Sequence, residues 1–307
     1  CSLDAAAATA SYPTKPIRMI VPLAAGGGTD LIARLAAQKL TDAWGQQVIV
    51  DNRPGAGGVV GAELGARAAP DGYTHTLLGS SYTVNPSFYE LAFDPVNDIT
   101  AMAQISQGPF IVTTNPGVAA CTVREFIALA KAKHGQLSFA TSGAGRITHL
   151  SSEIFLIMAR LKMVHVPHKG TGPALIDTIS GQVALLFGDA PPTLPHVKGG
   201  RLRGIAVTTG ERITTLPDMP TLHEAGVPGY EVLLRQGMIG SKGIPSAIAD
   251  KTHAELARAF RAKDMVDRFA GDGISPSLAT RAQFAERIRD ETALWRKTVQ
   301  VAGVKLE

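Results

Sequence analysis

Short apolar runs closed by glycine-rich turns alternate with helical spacings along most of this chain. Met19 to Leu23 reads as a buried strand and Gly26-Gly27-Gly28 as the turn after it. A helix opens at Thr29 or Asp30, with Leu31, Ile32 and Leu35 on its apolar face. The alternation continues with the run Val48–Val50, the loop Arg53-Pro-Gly-Ala-Gly-Gly58 and a helix from about Val59 to Ala69. Pro70-Asp-Gly72 then turns the chain into a strand at Thr74–Gly79. This pattern predicts an open α/β sheet with helices on both faces, whose ligands gather beyond the carboxyl ends of the strands. The Gly26 loop and the loop Gly79-Ser-Ser-Tyr-Thr-Val-Asn85 both lie at such ends.

A second α/β unit follows. Phe110–Thr114 reads as a strand, and Thr122-Val-Arg-Glu125 as a capping box opening a helix to about Lys133. Leu137–Ala140 is a strand running into Thr141-Ser-Gly-Ala-Gly145, with a helix from about Ile147 to Arg160. Met163–Val166 runs into Pro167-His-Lys-Gly-Thr-Gly-Pro173 and a helix through Ile179, and Val183–Phe187 and Leu202–Thr208 add strands. Beyond Ile244-Pro245 the pattern is helical, with a cap at Ser246 and a capping box at Thr280-Arg-Ala-Gln283. Phe284, Ile288 and Trp295 share one face of the last helix, which is expected to pack back on the first unit. The chain crosses between units near Gln104–Gly108 and returns near Tyr230–Gly237. Two crossings make a hinge, so we expect one lobe from residues 12–105 with 236–305 and another from 106–235. Residues 1–11 read as a tether or processing remnant.

A glycine turn opening onto a helix N-terminus presents unpaired N–H groups and the positive end of the helix dipole, which suits an anion. Phosphate and carboxylate both qualify. A dinucleotide site draws on Asp51 as the ribose acid, but G-x-G-x-x-G from Gly26 needs glycine where the chain has Leu31. No G-K-[ST] is present, so a P-loop is excluded. The alternative retained is a nucleotide- or phosphate-binding α/β enzyme using Gly26–Gly28. Catalysis finds little support, with neither G-x-S-x-G nor H-E-x-x-H in the chain. His165 and His168 are close, yet no carboxylate or cysteine completes a metal pattern. Neither metal nor cofactor is expected.

The 307 residues suffice for two domains. Apolar runs are too short for a transmembrane helix. A net charge of +4 mildly favours anionic ligands, while 6% aromatic content and scattered basic residues argue against nucleic acid. Cys1 and Cys121 have no metal spacing, and no structural disulfide is expected. Ala8-Thr9-Ala10 fits an export cleavage site without the apolar region that normally precedes one. Cys1 fits a lipid-anchored terminus or a residue added by cloning, and Leu306-Glu307 fits vector sequence; these alternatives stay open.

Six motifs in order then carry a resemblance. They are Val21-Pro-Leu-Ala-Ala-Gly-Gly-Gly-Thr-Asp30, Asp51-Asn-Arg-Pro-Gly-Ala-Gly-Gly58, Pro70-Asp-Gly-Tyr73 and Thr141-Ser-Gly143 with His149. Val166-Pro-His-Lys-Gly-Thr-Gly-Pro-Ala174 and Leu216-Pro-Asp-Met-Pro-Thr221 with Glu224-Ala-Gly226 complete the set. Together the chain resembles the Bug receptors, the solute-binding proteins of tripartite tricarboxylate transporters. The resemblance implies a periplasmic, type II-like Venus flytrap and a solute-binding protein rather than an enzyme. It would close on a small carboxylate and deliver it to an inner-membrane permease, and it is expected to be a monomer. The carboxylate could be a dicarboxylate, an aromatic acid or an acidic amino acid.

Carried over by motif, the resemblance implies ligand contacts at Gly26, Gly27, Gly28, Thr29, Ser80 and Ser81 in the first lobe. In the second it implies Thr141, Ser142, Gly143, His149, Lys169, Gly170 and Thr171. Three positions depart from the family: His168 replaces a frequent Tyr, Gly188 precedes Asp189 where Asp commonly follows Phe187, and Arg235 replaces a frequent Trp. Arg235 facing the cleft would hold a second carboxylate in a bidentate pair. The other reading makes it an interdomain arginine. Lys169 contributes charge or braces its loop, and His149, near a helix start, suits a structural hydrogen bond. Asp189 accepts from a ligand amine or caps its own turn.

Overall fold

The computed structural model of the protein describes residues 12–304, and the expectations about Cys1, Ala8-Thr9-Ala10 and Leu306-Glu307 fall outside them. In chain order the strands are β1 (Ile17–Val21), β2 (Val48–Asn52), β3 (Thr74–Gly79), β4 (Ile99–Thr114) and β5 (Ser138–Thr141). They continue with β6 (Val164–Pro167), β7 (Leu185–Asp189), β8 (Arg203–Val207), β9 (Leu233–Ser241) and β10 (Ser275–Pro276). The α-helices are α1 (Gly28–Trp44), α2 (Val59–Ala66), α3 (Ser81–Val84), α4 (Val123–Ala132) and α5 (Ile147–Ala159). Then come α6 (Thr171–Ile179), α7 (Ala190–Lys198), α8 (Ser246–Arg261), α9 (Lys263–Gly271) and α10 (Arg281–Ala302).

The strand order is β2-β1-β3-β9-β4-β7-β5-β6, with β8 and β10 also paired to β4. β1 lies between its parallel neighbours β2 and β3, which is why its run is almost wholly buried. In the second half β5 is parallel to β6 and β7. Each half is thus the parallel α/β unit that strand–helix alternation demands, because a parallel pair needs a crossover between its strands.

β4 and β9 join the halves. They run antiparallel from Ile99 opposite Ser241 to Pro109 opposite Leu233, with register shifts between Ala101 and Ala103 and between Gln104 and Ser106. β9 also closes the first half against β3, and the far end of β4 pairs with β7 and β8 in the second. The sequence pattern resolves only Phe110–Thr114 of this long strand. Thr100, Gln104, Ser106 and Gln107 interrupt the apolar run before it. Those polar groups find partners inside: Gln104 with Ser277 and Arg287, and Ser106 with Gln236.

Local chemistry sets the helix ends. Gly45 in the left-handed region closes α1. Thr122 caps α4 by accepting from the Glu125 N–H at 3.2 Å. Thr280 and Gln283 form the reciprocal box at the start of α10. Ser246 departs from expectation, being the first residue of α8 with no side-chain cap there. Phe284, Ile288 and Trp295 are all buried on one face of α10, as their spacing predicts. The helix spans both halves, however. Phe284 and Ile288 pack with Leu78 and Ile239, whereas Trp295 and Val299 join Phe155 and Phe187 of the second half's core.

α2 rests on the end of β1 with no room to spare. A methyl group on Gly61 would lie 2.7 Å from the Arg53 carbonyl oxygen and 2.7 Å from the Pro22 Cα. Alanine normally favours a helix by about 1 kcal/mol over glycine, but backbone has no rotamer by which to yield. Gly61→Ala is therefore expected to destabilise the protein by about 1–3 kcal/mol. A urea midpoint equal to or above wild type would refute this packing account.

Candidate functional site

Three helices point their N-termini into one cavity between the halves: α1 at Gly27–Thr29, α5 at Arg146–Thr148 and α6 at Gly170–Thr171. Ser81, Ser142 and Asp189 complete the polar wall, with Leu23, Ala24, Ile147 and Leu234 as apolar flank. The N-cap residues are Gly27, Arg146 and Gly170, and none makes a side-chain cap. That distinguishes these helices from α4 and α10, whose threonine caps take up a first-turn N–H. The first-turn amides of a helix have no intrahelical acceptor, so three uncapped ends sharing a cavity give it a positive field.

Arg146 sharpens that field. It is 6% exposed, yet forms neither an ion pair nor a side-chain hydrogen bond among the described residues. Burial lowers its guanidinium pKa, which the Asp189 charge nearby partly opposes. A cation at a helix N-terminus is unfavourable by roughly 0.3–1 kcal/mol, before the desolvation of the charge is counted. Both terms reverse if an anion enters between the guanidinium and the helix ends.

Carboxylates of the protein already fill part of the glycine loop. The Gly26 N–H donates to Asp30 Oδ2 at 3.0 Å, and Asn52 and Arg34 hold the same carboxylate. Burial pushes the Asp30 pKa up, but these donors together keep it below the usual range. The Gly28 N–H donates to Asp189 Oδ2 at 3.0 Å, across the cleft, and the Thr171 hydroxyl donates to the same oxygen at 3.1 Å. A Cβ on Gly28 would sit 3.1 Å from that oxygen, so glycine lets Asp189 approach. Ile147 N–H to Ser81 Oγ at 3.3 Å adds another bridge between the halves.

Of the expected contacts, Gly27, Thr29, Ser81, Ser142, Gly170, Thr171 and Asp189 line the cavity. Gly26 and Gly28 are adjacent, with their amides engaged as above. Ser80 instead accepts from the Arg235 N–H at 2.8 Å and supports β9. Thr141 bonds His165 Nε2 at 2.7 Å, and Gly143 continues that loop without lining the cavity. His149 accepts from the Gly145 N–H at 3.3 Å, the structural bond its place near a helix start suggested. Lys169 is exposed and does not line the cavity.

Arg235 fits the second of its two readings, an arginine held within the protein. Its guanidinium does not line the cavity but pairs with Glu291 of α10 at 2.6 Å, and Thr83 holds the other Glu291 oxygen at 3.2 Å. Register explains this: Gln107 lies opposite Arg235 in the β4–β9 pair, and α10 packs alongside. Asp189 is no mere turn cap either, since it spans the cleft to Gly28. Sequence reasoning missed Arg146, Thr148 and Leu234. A cation directly after Gly145, in the N-cap slot of a helix, was the available signal for Arg146. Asp51 is tied to Arg18 at 2.6 Å and to Arg53 at 2.9 Å, which takes up the acid that the dinucleotide alternative needs. His168 pairs with Asp177 at 2.7 Å, and no group that could hold a metal ion occurs among the described residues.

Behind the Thr141–Gly145 loop lies a stack of rings. His149 and His165 are stacked with centroids 4.1 Å apart and 6° between planes, and Phe139 continues the stack at 5.0 Å. Burial, with the neighbouring imidazoles, lowers the pKa of each histidine from 6.5 to about 4.

A larger groove of about 1350 Å³ lies on the second half beside Arg124, Lys198 and Met219. No comparable convergence of helix ends marks it. The interdomain cavity, at about 400 Å³, is smaller but chemically organised.

Comparison with known proteins bears on this cavity. Residues 32–304 match the model of the tripartite tricarboxylate transporter family receptor. BugT of Bordetella pertussis is 34% identical over 303 residues, covering 97% of this chain and 92% of BugT. Among solved structures, R. palustris Rpa4515 with adipate superimposes with a TM-score of 0.93 at 29% identity, over 96% of this chain and 99% of that one. The malate-bound MatC of Rhodopseudomonas palustris gives 0.87 at 27% identity, over 94% and 100%.

Two predictions follow from this geometry. The stacked histidines are neutral in the fold and titrate near 6.5 when unfolded, so their stabilisation is whole above that pH and lost as pH falls toward 4. His149 alone is expected to account for about 1–2 kcal/mol by pH 5. Urea midpoints at pH 7.5 and 5 measure this, and His149→Gln should show the shallower fall; equal slopes in the two proteins would exclude it. Arg235→Ala strands a largely buried Glu291 and should cost about 1–3 kcal/mol of stability, discounted for partial exposure. Its carboxylate affinity should stay within about twofold of wild type, whereas a tenfold loss with stability intact would return Arg235 to the ligand.

Proposed function

Because this chain belongs to the receptor family of the tripartite tricarboxylate transporters, we propose that it captures a small carboxylate between its lobes and delivers it to a membrane permease. The family is one of solute receptors rather than enzymes, and its relatives of known structure are periplasmic. The observation that carries the reading is Arg146, a buried guanidinium with no ion-pair or hydrogen-bond partner among the described residues, lining a cavity already ringed by three uncapped helix ends. A carboxylate completes all of these groups at once. Adipate on Rpa4515 and malate on MatC are the ligands of similar folds, and both are carboxylates.

In this reading the lobes are residues 12–105 with 236–305 and residues 106–235, and α10 braces both. Arg146 and the ends of α1, α5 and α6 take the carboxylate, with Ser81, Ser142 and Thr171 as hydroxyl partners. The receptor acts outside the cytoplasm as a monomer. Micromolar affinity needs about −8 kcal/mol. Several hydrogen bonds to a charged group, at roughly 1.5–3 kcal/mol each, reach that after the cost of ordering. Each forms on closure and breaks on opening, as reversible delivery requires.

The test is a thermal-shift screen of mono-, di- and tricarboxylates and nucleotides, with calorimetry on hits, for wild type and Arg146→Met. Ligand that binds only the folded state raises the melting temperature. Wild type should respond to carboxylates, and Arg146→Met should lose roughly 10- to 100-fold in affinity. Without ligand the variant should melt no lower than wild type, since it replaces an uncompensated buried charge with an apolar chain. Undiminished affinity in the variant would remove Arg146 from the site, and shifts with nucleotides alone would overturn the carboxylate reading.

A further inference from the structure

The cavity holds two opposite charges that do not touch. Arg146 enters from the start of α5 and Asp189 from the end of β7. They are 6% and 7% exposed, and no ion pair joins them. An anion explains Arg146 and the helix ends, but leaves Asp189 unexplained. A carboxylate on the wall repels an anionic ligand, and its burial is itself costly. A tie between the lobes needs only an acceptor for the Gly28 N–H and the Thr171 hydroxyl, which a neutral amide would provide without a buried charge.

Asp189 also has capacity left over. An ionised carboxylate offers about four lone-pair sites. Gly28, Thr171 and its own backbone N–H occupy three at most. The other carboxylate on this wall, Asp30, is enclosed by Gly26, Arg34 and Asn52. Arg146 and Asp189 line the same cavity of about 400 Å³, and each feels the other's charge. A ligand held at Arg146 therefore lies within a few atoms of Asp189.

We propose that Asp189 reads a hydrogen-bond donor on the ligand, close to the carboxylate that Arg146 and the helix ends hold. The ligand is then a hydroxy acid or an amino acid rather than an unsubstituted carboxylic acid. Arg146 selects for the acid, and Asp189 selects for the hydroxyl or ammonium beside it. This inference rests on the carboxylate-receptor reading and deepens it.

Calorimetry with matched pairs tests it: malate against succinate, lactate against propanoate, and alanine against propanoate. Wild type should prefer the substituted member of at least one pair by about tenfold or more, the scale of one hydrogen bond to a charged group. Asp189→Asn keeps an acceptor for Gly28 and Thr171 but loses the charge. Its preference should fall below about threefold, and its affinity for the unsubstituted acid should rise because a repelling charge is gone; that retained binding also shows that the variant folds. Wild type binding the unsubstituted acid equally well in every pair overturns the inference but leaves the carboxylate receptor standing. So does a variant that keeps the discrimination. Wild type binding none of the compounds or other carboxylates would instead defeat the receptor reading, and this inference with it.

Discussion

The antiparallel pairing of β4 with β9 is the constraint on which the rest of the structure hangs. Each strand belongs to both halves, so the carboxyl ends of two separate parallel sheets are made to face one another. The register shifts beside Ala101 and Gln104 fall in the middle of this pairing. A bulge increases local twist and breaks the regular ladder. Buried polar side chains there find protein partners, Ser106 with Gln236 across the pairing and Gln104 with Ser277 and with Arg287 of α10. Arg235 with Glu291 extends the same network to α10, whose apolar face reaches both cores.

From that frame the electrostatics of the cleft follow. Strand ends lead into helices, and three of those helices begin at the cavity with no side-chain cap. No N-cap side chain takes a first-turn N–H at these ends; Gly28 instead donates to Asp189 and Ile147 to Ser81, both across the cavity. Arg146 adds a full charge, and the nearby Asp189 moderates it while tying β7 to the start of α1. The result is a cavity with a positive field at its helix ends and two buried carboxylates, Asp30 and Asp189, on its wall.

Much of the fold was legible in the sequence, for physical reasons that particular residues make plain. The strands β1 and β3 and the helices α5 and α6 were readable because apolar runs, glycine turns and helical periods are local signals. So were the caps at Thr122 and Thr280, whose bonds span three residues. The first eleven residues of β4 were not, because polar groups satisfied only in the assembled fold look exposed in a linear pattern. Glycine and hydroxyl positions such as Gly27, Thr29, Ser142 and Thr171 were named through the motifs the chain shares with the family, and they sit on strand-end loops, where ligands of such sheets collect.

The sequence by itself determined the strand–helix alternation of the two parallel α/β units and the glycine- and hydroxyl-rich loops at their strand ends, since each depends on neighbours a few residues away. Only the tertiary structure decided which charges serve those loops. Arg235 was claimed by Glu291, 56 residues along the chain, and Asp189 by Gly28, 161 residues back. Arg146 was left without a hydrogen-bond or ion-pair partner among the described residues. Whether a charge is paired or waiting depends on which groups folding brings within a few ångströms and on how much water it removes. No local pattern carries either quantity.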